Sequence, residues 1–280
     1  MGKKYLIIHA DDAGLAWSQN KATQKGLLEG SISSTSLMVP CPWFFEMAQF
    51  CLNHPQLDYG IHLTLTGEWK TYPFRPISVA QKVPSLVNQN GHLFPKRHHI
   101  RDQAKIDEVR LELNAQIEYA LSLGLKPSHL DPHMYTLGIR QDLLDLYQEL
   151  GETYQLPIVL NTELITLSGE DPSRFNLPQE RCFENIYMPT FKNFKEEGLT
   201  AYYNHILDHL PEGVSMFLIH PALESEEMKQ IAVDHPNFGA EWRAEESKYF
   251  CSEALVQKLK ENEIELVNWK SPVVLNRWGA

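Results

Sequence analysis

An α/β fold, arranged as a closed or nearly closed (β/α) barrel, is predicted by three features of this sequence. Apolar runs of strand length alternate with segments of helical pattern, which implies parallel strands joined by helical crossovers. The number of such runs suits a barrel. Clusters of histidine and aspartate fall at or near the ends of several runs, where barrels carry their chemistry.

Tyr5 to His9 reads as the first strand and ends in the polar pair Asp11-Asp12. Ser18 to Glu29 suits a helix, closed by Gly30. Ser31 to Val39 reads as a second strand stopped by Pro40, Phe44 to Leu52 as a helix, and Leu57 to Leu65 as a third strand. Residues 66–102 break the rhythm with Pro73, Pro76, Pro84 and Pro95, and an irregular segment of that length is expected to act as a lid or binding loop. From Lys105 to Leu123 the apolar residues Ile106, Val109, Leu113, Ile117, Ala120 and Leu121 fall on one helical face. Further strands are expected near Ser128–Leu130, Ile158–Asn161, Val214–Ile219 and Ile264–Val267. With neither a repeat nor a convincing linker, residues 1–280 read as a single domain carrying the insertion at about 66–102.

An apolar content of 43% supports a full core, and the formal charge of −11 argues against nucleic acid as the main partner. Cys41, Cys51, Cys182 and Cys251 are scattered without a C-x-x-C pair, as expected of reduced thiols. The first apolar run is too short for a signal-peptide core or a membrane span. A cytoplasmic protein, free of membrane and compatible with a homodimer, is the expectation.

The chemistry is concentrated in three clusters: His9-Ala10-Asp11-Asp12, Gly60-Ile61-His62-Leu63-Thr64, and His129-Leu130-Asp131-Pro132-His133. A buried acid or imidazole needs a partner because desolvation is costly. One divalent cation would serve all three, and carboxylate with imidazole suits zinc or another first-row ion. At a strand end both adjacent carboxylates can reach one cleft, one binding a metal and the other acting as base; the alternative is that Asp12 caps the following helix. Alternate residues of an extended strand share a face, so His129, Asp131 and His133 could all point to one site, with Asp131 orienting an imidazole. Spacing leaves open which histidine binds. His220, following the run Val214 to Ile219, is well placed as a general acid. His205 and His209 lack the glutamate of a zinc-protease motif, and no P-loop, dinucleotide fingerprint or G-x-S-x-G elbow occurs.

Five motifs in order, His9-Ala-Asp-Asp-Ala-Gly-Leu15, Ser33-Ser-Thr-Ser-Leu-Met-Val39, Gly60-Ile-His-Leu-Thr-Leu-Thr66, Pro127-Ser-His-Leu-Asp-Pro-His133 and Leu218-Ile-His-Pro221, resemble the YdjC-like carbohydrate deacetylases, which include the chito-oligosaccharide deacetylases. The resemblance runs to about Lys270. It implies a distorted (β/α) barrel of the polysaccharide-deacetylase type and metal-dependent removal of an N-acetyl group from a small amino sugar or oligosaccharide. It further implies one divalent ion, Mg²⁺ or Zn²⁺, on Asp12, His62 and His133, with Asp11 as general base and His220 as general acid. His129 and Asp131 are then expected just behind the ligands. The chain departs from the family pattern at Ala13, where Phe is usual, and at Met134-Tyr135, where a downstream histidine is lost, so a different sugar is expected. Trp69, Tyr72 and Phe74 are candidates for packing on a sugar face. The rival readings are a metal-dependent hydrolase or isomerase of another sugar derivative, and a sugar-binding regulatory protein without turnover.

Overall fold

In the computed structural model, which describes residues 2–278, the strands β1 (Lys4–Ala13), β2 (Ser34–Leu37), β3 (Tyr59–Leu63), β4 (Leu130–Pro132), β5 (Asn185–Tyr187), β6 (Gly213–Ile219) and β7 (Ile264–Leu266) form one parallel sheet. Their order is β4-β3-β2-β1-β6-β5, with β7 also paired to β1. The long first strand carries three neighbours: β6 along Lys4 to Ala10, β7 at Lys4 to Leu6, and β2 from His9 onward. Between β4 and β5 the ring closes only through irregular backbone, in which Leu130 N donates to Pro157 O at 2.9 Å and Phe183 N to Leu160 O at 2.9 Å. The product is a distorted barrel. The strand expected near Ile158–Asn161 is reduced to a bridge between Ile158 and Leu130, and β5 is a strand that the sequence pattern does not announce.

The helices are α1 (Trp17–Glu29), α2 (Phe44–Asn53), α3 (Arg97–Gln103), α4 (Ile106–Ser122), α5 (Gln141–Tyr154), α6 (Thr162–Leu167), α7 (Leu199–Asp208), α8 (Glu226–Ile231), α9 (Ala240–Phe250), α10 (Glu253–Glu261) and α11 (Pro272–Leu275). Strand periodicity decides what each residue of β1 meets. Leu6, Ile8 and Ala10 pack outward with Tyr203 of α7, Trp242 and Phe250 of α9 and Leu255 of α10. Ile7 points inward with Met216, Leu218, Val159 and Phe183, and His9 and Asp11 follow it on the same face. In β3, Ile61 and Leu63 face the helices, which leaves Gly60 and His62 for the interior.

Residues 66–96 are mostly irregular and 97–102 belong to α3, but the segment is packed. Trp69, Phe74, Val83, Leu86, Leu93 and Ile100 are all buried in the core shared by α2, α4 and α5. Tyr72 donates its hydroxyl to Leu15 O at 3.1 Å. Tyr72 and Phe74 are therefore framework side chains.

An aromatic stack fills part of the barrel interior. The His129 ring lies on Trp269 with centroids 4.4 Å apart and planes 11° from parallel, and its edge covers Gly60. A Cβ at Gly60 would stand 2.5 Å from His129 Nε2 and 2.6 Å from two ring carbons. Gly60→Ala is expected to lower stability by about 1–3 kcal/mol through overpacking, read as a reduced urea midpoint at unchanged slope. Combined with His129→Ala it should cost less than the two single changes added together, and strict additivity would show that the ring is not the obstacle.

Candidate metal centre and catalytic site

Local backbone geometry brings the acid pair to one cleft. The pairing of β1 with β2 shifts register between Ala10 and Ala13, and Asp12 adopts φ of 63°. That left-handed residue turns the second carboxylate toward the side its neighbour already faces. Asp12 does not cap α1, whose N-cap is Ala16 without a side-chain bond. His62 enters from the end of β3, and His133 from the turn after β4, where Met134 and Tyr135 are also left-handed at φ of 53° and 52°.

Three ligand-type atoms then meet. Asp12 Oδ1 lies 3.2 Å from His133 Nδ1 and 3.5 Å from His62 Nε2, and the two ring nitrogens are 3.3 Å apart. Ligands about 2.0–2.1 Å from a tetrahedral ion stand roughly 3.3 Å from one another, so the triangle fits a first-row divalent cation. Asp12 Oδ1 is buried and accepts no hydrogen bond among the described residues, as expected of an atom facing an ion. The neighbours fix the other faces of the ligands. His62 Nδ1 donates to Asp131 Oδ2 at 2.8 Å, its register partner across β3 and β4, which leaves His62 Nε2 free to ligate. His133 Nε2 lies 3.0 Å from Glu68 Oε2. Asp131 and His62 also belong to other acid–imidazole groupings. Asp131 Oδ2 is already engaged by His62, Ser36 and His9 at 2.8, 2.8 and 3.3 Å, so it supports the triad better than it would ligate.

The electrostatics are as tight as the geometry. Burial pushes the Asp12 carboxyl up, but the Arg243 guanidinium and the His133 ring outweigh it and hold the group well below the usual carboxylate range. Arg243 Nη2 donates to Asp12 Oδ2 at 2.8 Å, while Nη1 and Nε are fixed by Gln19 Oε1 at 2.8 Å and Phe238 O at 2.7 Å. For His133, burial favours the neutral ring, yet Glu68 and Asp12 raise it to about 10. His9 is likewise raised to about 10, its two carboxylate neighbours Asp11 and Asp131 overcoming burial. His220 goes the other way: burial brings it down to about 4 despite the two aspartates of β1. The near-neutral value expected for this histidine is not kept, and its resting ring is uncharged. Its Nε2 lies 3.7 Å from Asp11 Oδ2, and its backbone N–H donates to Glu246 Oε2 at 2.6 Å. Glu246, buried on α9 and raised to about 7 by that burial, also accepts from Tyr203 Oη and Trp242 Nε1 at 2.7 and 2.9 Å.

Asp11, Asp12, His62, His133 and His220 all line one cavity of about 320 Å³. His129 is one residue removed from the triangle: its nitrogen groups with His9 and Asp131, the carboxylate that holds His62, and its ring meets the His9 ring edge-on with centroids 5.0 Å apart. Its Nδ1 lies 2.8 Å from Ser128 Oγ, and no hydrogen bond joins it to Asp12, His62 or His133 among the described residues. The groups that do support the site include His9, Ser36, Glu68, Arg243 and Glu246, which the sequence reading left without roles. Of the expected aromatics only Trp69 reaches the cavity, whose apolar wall is completed by Phe191, Phe238, Leu167 and Met188.

A family model described as YdjC-like protein matches residues 5–261. The chain belongs to the YdjC-like family. This member is 30% identical over 270 residues to a carbohydrate deacetylase of Thermoanaerobacter pseudethanolicus, covering 95% of this chain and 98% of the relative. It is 32% identical to a carbohydrate deacetylase of Thermus thermophilus, over 89% and 86% of the two chains. It is 33% identical to a chitooligosaccharide deacetylase of Proteus mirabilis, over 69% and 76%. A crystal structure from Enterococcus faecalis V583, named for a proposed cellobiose-phosphate cleavage, superposes with a TM-score of 0.78 at 26% identity, over 96% of this YdjC-like chain and 98% of that one.

Arg243→Met should leave the Asp12 carboxylate buried without its guanidinium. Loss of one partner of a buried pair typically costs about 3–5 kcal/mol. Urea unfolding of the metal-free protein is expected to report a loss in that range, and a change below about 1 kcal/mol would mean that the pair is poorly desolvated.

Proposed function

We propose that this protein is a metal-dependent hydrolase that removes an N-acetyl group from a small amino sugar or oligosaccharide. The observation that carries the reading is the triangle of Asp12 Oδ1, His62 Nε2 and His133 Nδ1, set in a cavity beside Asp11 and His220. Its family membership and its deacetylase relatives support the same reaction. Asp12, His62 and His133 would hold one divalent ion, Mg²⁺ or Zn²⁺, which when bound polarises the amide carbonyl and acidifies the attacking water.

The remaining chemistry belongs to the protein's own side chains. Asp11 takes the proton of the attacking water. His220, neutral at rest, is 3.7 Å from Asp11 Oδ2; it receives a proton during turnover and delivers it to the departing amine. Glu246 and Phe238 keep this histidine in place, one through its backbone N–H and the other with ring centroids 4.6 Å apart. The apolar wall of Phe191, Phe238 and Leu167 gives a sugar face something to lie on while the polar end meets the amide. Every residue in this scheme comes from one chain. A cytoplasmic location is consistent with four free cysteines, and no helix among the described residues is long and apolar enough to cross a membrane.

Acetate release across a panel of N-acetylated mono- and oligosaccharides tests the reaction directly. A metal-loaded protein that binds these sugars and releases no acetate would be a binding module instead. With a substrate in hand, Asp11→Asn should keep metal binding and cut turnover by roughly a hundredfold or more, as for loss of a positioned base, whereas Asp12→Asn should weaken metal retention first. Equal metal loss in both variants contradicts this division of labour. His220→Ala should retain fold and metal while turnover drops by roughly 10²–10⁴; turnover at the parent rate reduces His220 to a strand-end residue.

A further inference from the structure

His9 is fully buried on β1 and stands outside both the ligand triangle and the proton path. Its partners determine its hydrogens. Nδ1 lies 3.0 Å from Ser34 Oγ, the residue opposite it in the β1–β2 register. Ser34 donates its single hydroxyl hydrogen to Asp58 Oδ1 at 2.6 Å, so toward His9 it is an acceptor and Nδ1 carries a hydrogen. Nε2 faces Asp11 Oδ1 at 3.2 Å and Asp131 Oδ2 at 3.3 Å. Two carboxylate oxygens require a hydrogen there as well. The ring is therefore an imidazolium, pinned from behind by the chain Asp58–Ser34.

Asp11 Oδ1 accepts no well-aligned hydrogen bond among the described residues, so the His9 cation is its close charge partner. Asp11 and Asp131 also bring carboxylate oxygens within 4.8 Å of each other, a separation at which like charges repel strongly when desolvated. We propose that His9 is a positioning residue that ties the base to the metal ligands. One ring holds Asp11 through Oδ1, leaving Oδ2 toward the cavity and His220, and the same ring braces Asp131, the carboxylate that orients His62. This rests on the reading of Asp11 as base and His62 as ligand.

The test uses the full-length Zn²⁺-loaded enzyme for kinetics and the metal-free protein for Zn²⁺ titration calorimetry. His9→Leu should lower kcat at least tenfold with KM within about twofold, and weaken Zn²⁺ binding roughly tenfold, the size expected for disturbing a ligand's support. His9→Gln, whose amide N–H can reach the same carboxylates, should recover most of both losses. The proposal fails if His9→Leu matches the parent in kcat and Zn²⁺ affinity, or if a folded His9→Gln is as impaired as His9→Leu. Should His9→Leu not fold, Ser34→Ala decides: it removes the rear anchor alone, and kcat should fall by about threefold or more at unchanged KM, while parent-like kcat overturns the proposal. If the parent releases no acetate from any sugar, the deacetylase reading has failed, and the Zn²⁺ affinities of the same variants still judge His9.

Discussion

Asp11, Asp12 and Asp131 are buried together at one end of a parallel barrel, and neutralising that charge is the constraint to which the surrounding structure answers. An isolated buried carboxylate is costly enough that it would protonate instead. Here each has a cationic or hydrogen-bonding neighbour: Arg243 of α9 on Asp12 and His62 of β3 with Ser36 of β2 on Asp131, both from distant parts of the chain, while Asp11 meets His9 from two residues earlier on β1. The contacts span 231 residues for Arg243 and Asp12 and 95 for Ser36 and Asp131. Folding the barrel and assembling the site are thus one event, since no single element can bury its acids alone.

This constraint also explains which parts were legible in the sequence. Strands β1, β3 and β6 are apolar runs with an outward period, and an acid or histidine interrupting such a run stands out because water cannot reach it. Asp11, Asp12, His62, His133 and His220 were visible for that reason. Parts that depend on tertiary contact were not. Strand β5 is only Asn185–Tyr187, too short to show a period. The buried residues of 66–102 are spaced irregularly, so neither their packing nor the approach of Glu68 to His133 has a sequence signature. Helix α9 buries Trp242, Arg243, Glu246 and Tyr249 on several faces, and a helix buried nearly all round loses the amphipathic stripe that would flag its charges as internal. The role of His9 has no sequence signature either, because its partners Ser34 and Asp131 lie on other strands.

The barrel interior separates structural from chemical histidines by their neighbours. His129 stacks on Trp269 and is held well below the usual imidazole range by burial; it behaves as a neutral aromatic plate. His9 and His133 sit between carboxylates and are raised, although the His9 ring touches that of His129 with centroids 5.0 Å apart. A change of immediate neighbours therefore turns a histidine from packing group to charged group. Residue type and alternation alone could not assign those roles, and that is why one H-x-D-x-H motif yields a plate, an orienting carboxylate and a ligand-type ring.

Of the six non-glycine residues in the left-handed region among the described residues, Asp12, Met134, Tyr135 and Phe238 line the cavity, while Gln155 and Glu263 lie elsewhere. Asp12, Met134 and Tyr135 each cost on the order of 1–3 kcal/mol. Asp12 is itself a vertex of the triangle, and the other two follow His133 directly. The surrounding contacts keep these conformations in place: Arg243 grips Asp12, Tyr135 is buried with its hydroxyl accepting from Asn161 N at 3.2 Å, and Arg97 Nη1 donates to Met134 O at 3.3 Å. A relaxed extended strand would aim Asp11 and Asp12 to opposite faces and divide the acid pair. The strained turn is what allows two consecutive carboxylates to serve one cavity, one beside the imidazole pair and the other beside His220.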